Sequence, residues 1–209
     1  YFKRREEGRP YVRCKLAMSL DGRTALVNGE SKWISGPQSR SDVQRLRAAC
    51  SAVLTGIETV LADDPSLNVR LEELKLDPEE LALNQLALSR QPLRVILDSQ
   101  FRTPETAKIL EAPGEVKIFG VEALDSAKTP TANVEYRQFE ARGKRVNLHS
   151  MLESLASEFA CNDVLVEAGP TLSGSFISAG LVDELVVYIA PKLLGSDAKP
   201  LFEITCLGS

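Results

Sequence analysis

Apolar and polar positions alternate through YVRCKLAMSL (11–20), as in a strand with one face buried, and the run stops at the turn dipeptide Asp21-Gly22. The period then lengthens. In SGPQSRSDVQRLRAAC (35–50), Val43, Leu46 and Ala49/Cys50 recur at helical spacing, Ser35 or Gly36 offers a cap, and Pro37 lies in the first turn. SAVLTG (51–56) predicts a short strand, and IETVLADDPSLNVR (57–70) holds neither period, so it is expected to be irregular. The charged, Leu-rich residues 71–90 predict an exposed helix or loop, LRVILD (93–98) and VKIFG (116–120) two further strands, and 121–145 a polar, irregular stretch. HSMLESLASEF (149–159) places Met151, Leu152, Leu155 and Phe159 on one helical face. DVLVEAG (163–169) predicts a strand, PTLSGSFISAG (170–180) a short helix closed by Gly180, and ELVVYIA (184–190) another strand. Strand, helix and strand at this spacing form a crossover unit in a mainly parallel α/β sheet.

The length of 209 residues and the 44% hydrophobic content suit one compact domain. Lys and Arg number 25 against 29 Asp and Glu, so no basic excess points to nucleic acid or an anionic membrane, and any anion site must be local. The chain has no run of eighteen apolar residues, and YFKRREEGRPY offers no apolar signal segment, so a cytoplasmic location is expected. Cys14, Cys50, Cys161 and Cys206 are widely spaced, with no C-x-x-C pair and His149 the one histidine. That spacing predicts no metal site, and the cysteines read as small buried hydrophobes. His149 has no neighbouring nucleophile or orienting carboxylate that would make a triad.

Chemistry concentrates in LVEAGPTLSG (165–174). In an open α/β sheet, ligands bind beyond the carboxyl ends of strands, where loops enter helix N-termini. Gly169 allows close backbone approach, Pro170 presets the first turn, and the N–H groups of 171–175 are anion donors suited to a pyrophosphate. An ordinary strand-to-helix turn is the alternative, and neither G-x-G-x-x-G nor a Walker A lysine is present. Glu167 interrupts an apolar run and is costly to bury without a partner; it is either an outward edge residue or a ligand contact. Lys15 poses the matching question in the first strand, where a solvent-facing lysine competes with a charged pair formed across a cleft with Glu167. Trp33 could flank a nucleotide ring or anchor a loop. Asp63-Asp64-Pro65 reads as paired carboxylates or as a turn, and Arg47 and Arg70 as a phosphomonoester clamp or as surface charge.

Together, KLAMSLDGRTAL, ESKWISGPQSRSDVQRLRA, AVLTGIETVLADDPSLNVR, LRVILDS and LVEAGPTLSGSFISAGLVDELVVYIAPKLLGSDA resemble the reductase domain of bacterial riboflavin-biosynthesis deaminase-reductases, over residues 11–198 or so. The resemblance implies a dihydrofolate-reductase-like α/β fold, NADPH, and reduction of the ribosyl group of 5-amino-6-(5-phospho-D-ribosylamino)uracil to a ribityl chain. It implies cofactor contacts at Ala17, Trp33, Thr59, Asp63 and Ser99, with Gly169, Pro170, Thr171, Leu172, Ser173, Gly174 and Ser175 as the pyrophosphate turn. It implies substrate contacts at Ser31, Arg47, Leu67, Arg70 and Glu167, of which Ser31, the two arginines and the Leu67 backbone hold the 5-phosphate, with Lys15 beside the substrate. Lys15 and Glu167 are the expected catalytic pair.

Relatives imply a homodimer or larger assembly, which an intersubunit contact through LVDELVVYIAPKLLG (181–195) would serve; a buried central strand explains that run equally well. The zinc deaminase half of such proteins, with its H-x-E and P-C-x-x-C ligands, has no counterpart here. Residues 1–10 read as a linker from that domain, 11–209 as the reductase domain, and KPLFEITCLGS as stopping short of the family's closing strands. Two other functions fit the same residues: a same-fold reductase acting on the diaminopyrimidine or a pterin, and a non-catalytic nucleotide-binding module.

Overall fold

The computed structural model describes residues 1–27, 36–124, 128 and 130–204. Its strands are β1 (Tyr11–Ser19), β2 (Arg23–Ala25), β3 (Ala52–Gly56), β4 (Leu93–Leu97), β5 (Val116–Gly120), β6 (Val134–Gln138), β7 (Ala141–Arg142), β8 (Arg145–Val146), β9 (Asp163–Val166), β10 (Glu184–Ala190) and β11 (Lys199–Pro200). Its helices are α1 (Phe2–Glu7), α2 (Pro37–Ala49), α3 (Ile57–Asp63), α4 (Leu71–Leu74), α5 (Pro78–Leu88), α6 (Lys108–Glu111), α7 (Leu148–Ser157) and α8 (Pro170–Ser178). Seven strands form one parallel sheet in the order β10-β1-β9-β3-β4-β5-β6.

The central strands are apolar on both faces because both faces are covered. Leu54, Val95, Val164 and Val166 enter one core, with Met151, Leu152 and Leu155 of α7 and Phe176 of α8. Val53, Ile96, Ile118 and Leu165 enter the other, with Ile57 and Val60 of α3. Strand alternation thus divides each run between two cores. Cys14, Cys50 and Cys161 are buried free thiols, as small hydrophobes should be, and Cys206 lies outside the described residues.

Three segments depart from the sequence expectation. Residues 57–63 are helical, because Gly56 opens α3 and Ile57 and Val60 bury one side of two turns, too short a repeat to show a period. Residues 134–138 form β6, a polar strand because it is the sheet edge and buries Val134 alone. At the other edge lies β10, which rules out the buried central strand; Leu185 and Ile189 are 46% and 56% exposed. The segment before β1 includes α1, tied down by Lys3 and Arg9 on Asp183 and by Arg4 on the Ala160 carbonyl.

Arg94, fully buried in β4, has no carboxylate partner among the described residues. Its guanidinium donates to the carbonyls of Ile109, Ala112, Pro113 and Gly114 at 2.6–3.0 Å, and to Ser66 at 3.5 Å. Desolvation draws its pKa down to about 10.

Candidate active site

Parallel register places the charges. Cys14 lies opposite Val166, and Leu54 opposite Val166 on the other side, so one residue further on Lys15 and Glu167 project from neighbouring strands on the same face. The Glu167 amide extends the ladder by donating to the Leu54 carbonyl at 2.9 Å. Helix α2 crosses this face and buries a partly polar side: Ser41, Gln44 and Arg47 beside Val43. Arg47 meets Glu167 in a two-pronged ion pair, Nε to Oε1 at 2.6 Å and Nη2 to Oε2 at 3.0 Å, each side chain 10% exposed. Burial pushes the Glu167 carboxyl up, but the Arg47 charge and hydrogen bonds, helped by Lys15 and Arg70, outweigh it and hold the carboxyl below its ordinary value. Lys15, half-buried, stands 5.7 Å from the ring centre of Tyr188, whose hydroxyl donates to Asp42 at 2.6 Å. The partner of Glu167 is therefore Arg47, 120 positions away, rather than Lys15.

Lys15, Arg47 and Glu167 line one end of a cavity of about 1020 Å³ that runs along the carboxyl ends of β1, β9, β3 and β4. Ala17, Thr59, Asp63, Leu67, Ser99, Gly169, Pro170, Thr171, Leu172 and Ser175 line it too. Thr59 and Asp63 share a face of α3 by their i, i+4 spacing. Thr59 Oγ1 accepts from the Gly169 amide at 3.2 Å and so ties α3 to the turn. Leu67 takes φ 50°, a left-handed conformation that costs a bulky residue about 1 kcal/mol or more and turns its backbone into the cavity wall.

Three expected contacts fall elsewhere, and two more are not described. Ser31 and Trp33 lie outside the described residues. Arg70 does not line the cavity, because Glu73 takes its guanidinium at 2.7 and 3.0 Å. Ser173 and Gly174 turn inward: a Cβ on Gly174 would stand 2.4 Å from the Glu203 carbonyl oxygen, and the Ser173 hydroxyl donates to the Ala168 carbonyl. Since the Ser173 amide bonds back to Gly169, the unpaired amides of the α8 N-terminus are those of Thr171 and Leu172, fewer than the 171–175 set expected.

The sequence reading missed the opposite end. Arg142, Lys144, Arg145 and His149 line the same cavity, carried by the β7–β8 hairpin and the first turn of α7. The signal was the RGKR run inside a stretch taken as irregular.

Comparison with known proteins decides the family. The profile of the RibD C-terminal domain matches residues 10–206. The chain belongs to the RibD C-terminal domain family. Among its relatives, Riboflavin biosynthesis protein RibD of Escherichia coli is 47% identical over 201 residues, covering 96% of this chain and 53% of that protein. A protein of Buchnera aphidicola subsp. Acyrthosiphon pisum named 5-amino-6-(5-phosphoribosylamino)uracil reductase is 39% identical over 174 residues, 83% of this chain and 82% of its own length. The solved structure of Acinetobacter baumannii RibD superposes with a TM-score of 0.80 at 43% identity, over 99% of this chain and 53% of that one. The RibD C-terminal domain match thus fixes a dihydrofolate-reductase-like fold, while the chain spans about half the length of the RibD proteins it resembles. No described helix is long and apolar enough to cross a membrane.

Proposed function

We propose that this chain is a cytoplasmic, NADPH-dependent reductase that converts the ribosyl group of 5-amino-6-(5-phosphoribosylamino)uracil to a ribityl chain. The observation that carries the reading is the sharing of one cavity by Lys15, the Arg47–Glu167 pair and the α8 N-terminus. The reductase name of the Buchnera relative, which aligns with 83% of this chain, supports it.

The residues present fit a dinucleotide. Gly169 keeps the turn free of a side chain, the Thr171 and Leu172 amides are unpaired at the positive end of α8, and Thr59, Asp63 and Ser99 add polar groups along the wall. When bound, a reduced nicotinamide supplies the hydride that makes the ribosyl C1′ a methylene.

This chain's side chains handle the sugar and its protons. Opening the ribosyl ring breaks C1′–O4′, adds a proton to O4′ and removes one from the exocyclic nitrogen; reduction then returns a proton to that nitrogen. Lys15 supplies the ammonium N–H for such an exchange, and the ionised Glu167, fixed by Arg47, accepts sugar hydroxyls. The Leu67 amide and Arg47 face the 5-phosphate, with Ser31 and Arg70 assigned there on the resemblance alone.

The test is turnover of the uracil and the still-aminated diaminopyrimidine phosphates side by side, followed by loss of the reduced-dinucleotide absorbance. Oxidation of NADPH with the uracil alone is expected. Dinucleotide binding without oxidation on either compound would leave a non-catalytic binding module, and preference for the diaminopyrimidine would replace the substrate.

A further inference from the structure

We infer that the β7–β8 hairpin recognises the 2′-phosphate on the adenosine ribose of the cofactor, and so sets the preference for NADPH over NADH; the inference rests on the dinucleotide reading above. β7 and β8 are joined by a two-residue loop, Gly143-Lys144, with Gly143 at φ 67° as so tight a hairpin requires. The loop places Arg142 directly opposite Arg145 across the ladder. Like charges facing each other this way destabilise a hairpin. Lys144 adds a third cation at the tip, and none of the three has a partner among the described residues, in a chain whose net charge is -4. The hairpin is nevertheless held in place: Val146 is buried in the core that contains Phe119, and the Asn147 amide closes onto the Glu140 carbonyl at 3.3 Å. A rigid element that presents three unneutralised cations to a cavity is a receptor for a multiply charged anion.

Position says which anion. β8 packs on β5, four strand positions from β1 and its Lys15, on the order of 19 Å away. The unpaired amides of α8 lie between, at the carboxyl end of β9, and take the pyrophosphate of a dinucleotide whose reactive ring is near Lys15 and Glu167. The group left for the far end is the one beyond the pyrophosphate. Of the carboxylates that line the cavity, Glu58 is paired with Arg102, and Glu122 accepts from the Gln100 amide. Neither of them, nor Asp63 or Glu203, pairs with a hairpin cation among the described residues, so all three cations are left for an anion. Arg145 also borders Thr171 and Ser175 of α8, which puts it beside the path from the pyrophosphate to the adenosine.

The experiment compares wild type with Arg142→Ala/Lys144→Ala/Arg145→Ala. One readout is the ratio of kcat/KM for NADPH to kcat/KM for NADH; the other is calorimetric affinity for adenosine 2′,5′-bisphosphate against 5′-AMP. Wild type should favour the 2′-phosphorylated partner in both, and the variant should lose roughly 10- to 100-fold of that preference. The wild-type preference should also weaken as salt rises, since the cations are exposed. A variant that keeps the wild-type ratio overturns the inference while leaving the reductase reading intact. A wild type that treats NADPH and NADH alike also overturns it. A wild type that binds neither dinucleotide nor bisphosphate removes the cofactor reading and this inference together.

Discussion

At the Lys15 end of the cavity the main carboxylate is already satisfied, whereas at the hairpin end three cations have no ion-pair partner among the described residues. The Arg47–Glu167 pair is nearly out of solvent and bound through two hydrogen bonds, so either group alone would be a costly buried charge. Arg142, Lys144 and Arg145 stand in water, which screens their mutual repulsion and makes them cheap to keep unpaired. The contrast separates two tasks. On the proposed function, orienting a polyol and moving protons would need groups whose positions do not change, and Arg47 and Glu167 are locked to each other. On the inference above, capturing a dianion would need charge left open, and the hairpin cations are left to the solvent.

The sharpest way to break this contrast is Arg47→Ala, which leaves Glu167 buried without its hydrogen-bonded partner. Urea unfolding should show a loss of about 3–5 kcal/mol, and turnover should fall to near background. Combining Arg47→Met with Glu167→Leu should return much of the stability and none of the activity; recovery of activity would show that the pair is mere scaffolding. Next, Lys15→Ala should lower kcat/KM by roughly 100-fold while the Kd for NADPH moves by less than about threefold. An equal loss in both quantities would make Lys15 a cofactor-site residue instead.

Gly174→Ala should cost about 1–3 kcal/mol in thermal unfolding, because its methyl group would meet the Glu203 carbonyl at 2.4 Å. The effect belongs to the close approach of chain segments and not to ligand affinity.

Acidification probes the locked end by itself. The Glu167 carboxyl is lower in the folded chain than unfolded, so its contribution is present above the unfolded value and disappears as pH falls through the folded one. Asp183 adds in the same direction, burial being outweighed by Arg9 and Lys3. Melting temperature should therefore fall as pH drops below the ordinary carboxylate range, and Glu167→Gln should flatten that limb. The smallest effect is expected at the open end: alanine at all three hairpin cations should shift unfolding by no more than about 0.5 kcal/mol, and toward greater stability if relief of the Arg142–Arg145 repulsion dominates.

Local pattern carried the strands with buried faces and the helices with a wide apolar stripe, because burial itself writes those periods. Residues 57–63 and 134–138 escaped: the first is two turns anchored by Ile57 and Val60, the second an edge strand with little to bury. Glu167 announced itself as an anomaly within an apolar run, yet its partner could not be read, since Arg47 is brought to it by α2 crossing the sheet face. Gly174 looked like one more small residue of an anion-binding turn, when its lack of a side chain serves residue 203 behind it. The RGKR run was dismissed with its polar surroundings, since sequence alone does not tell that Arg142 and Arg145 stand across a ladder from each other.

Arg94 carries a consequence for how this scaffold can vary. Its planar fork fastens residues 109–114 on one side and reaches Ser66, next to Leu67, on the other. An insertion or deletion after α6 would pull on that fork and be transmitted across β4 to the ligand-facing backbone at position 67. Loop length at a position remote from the cavity would thus tune the fit of the sugar phosphate proposed above, and lysine, with one nitrogen to offer, could not transmit it.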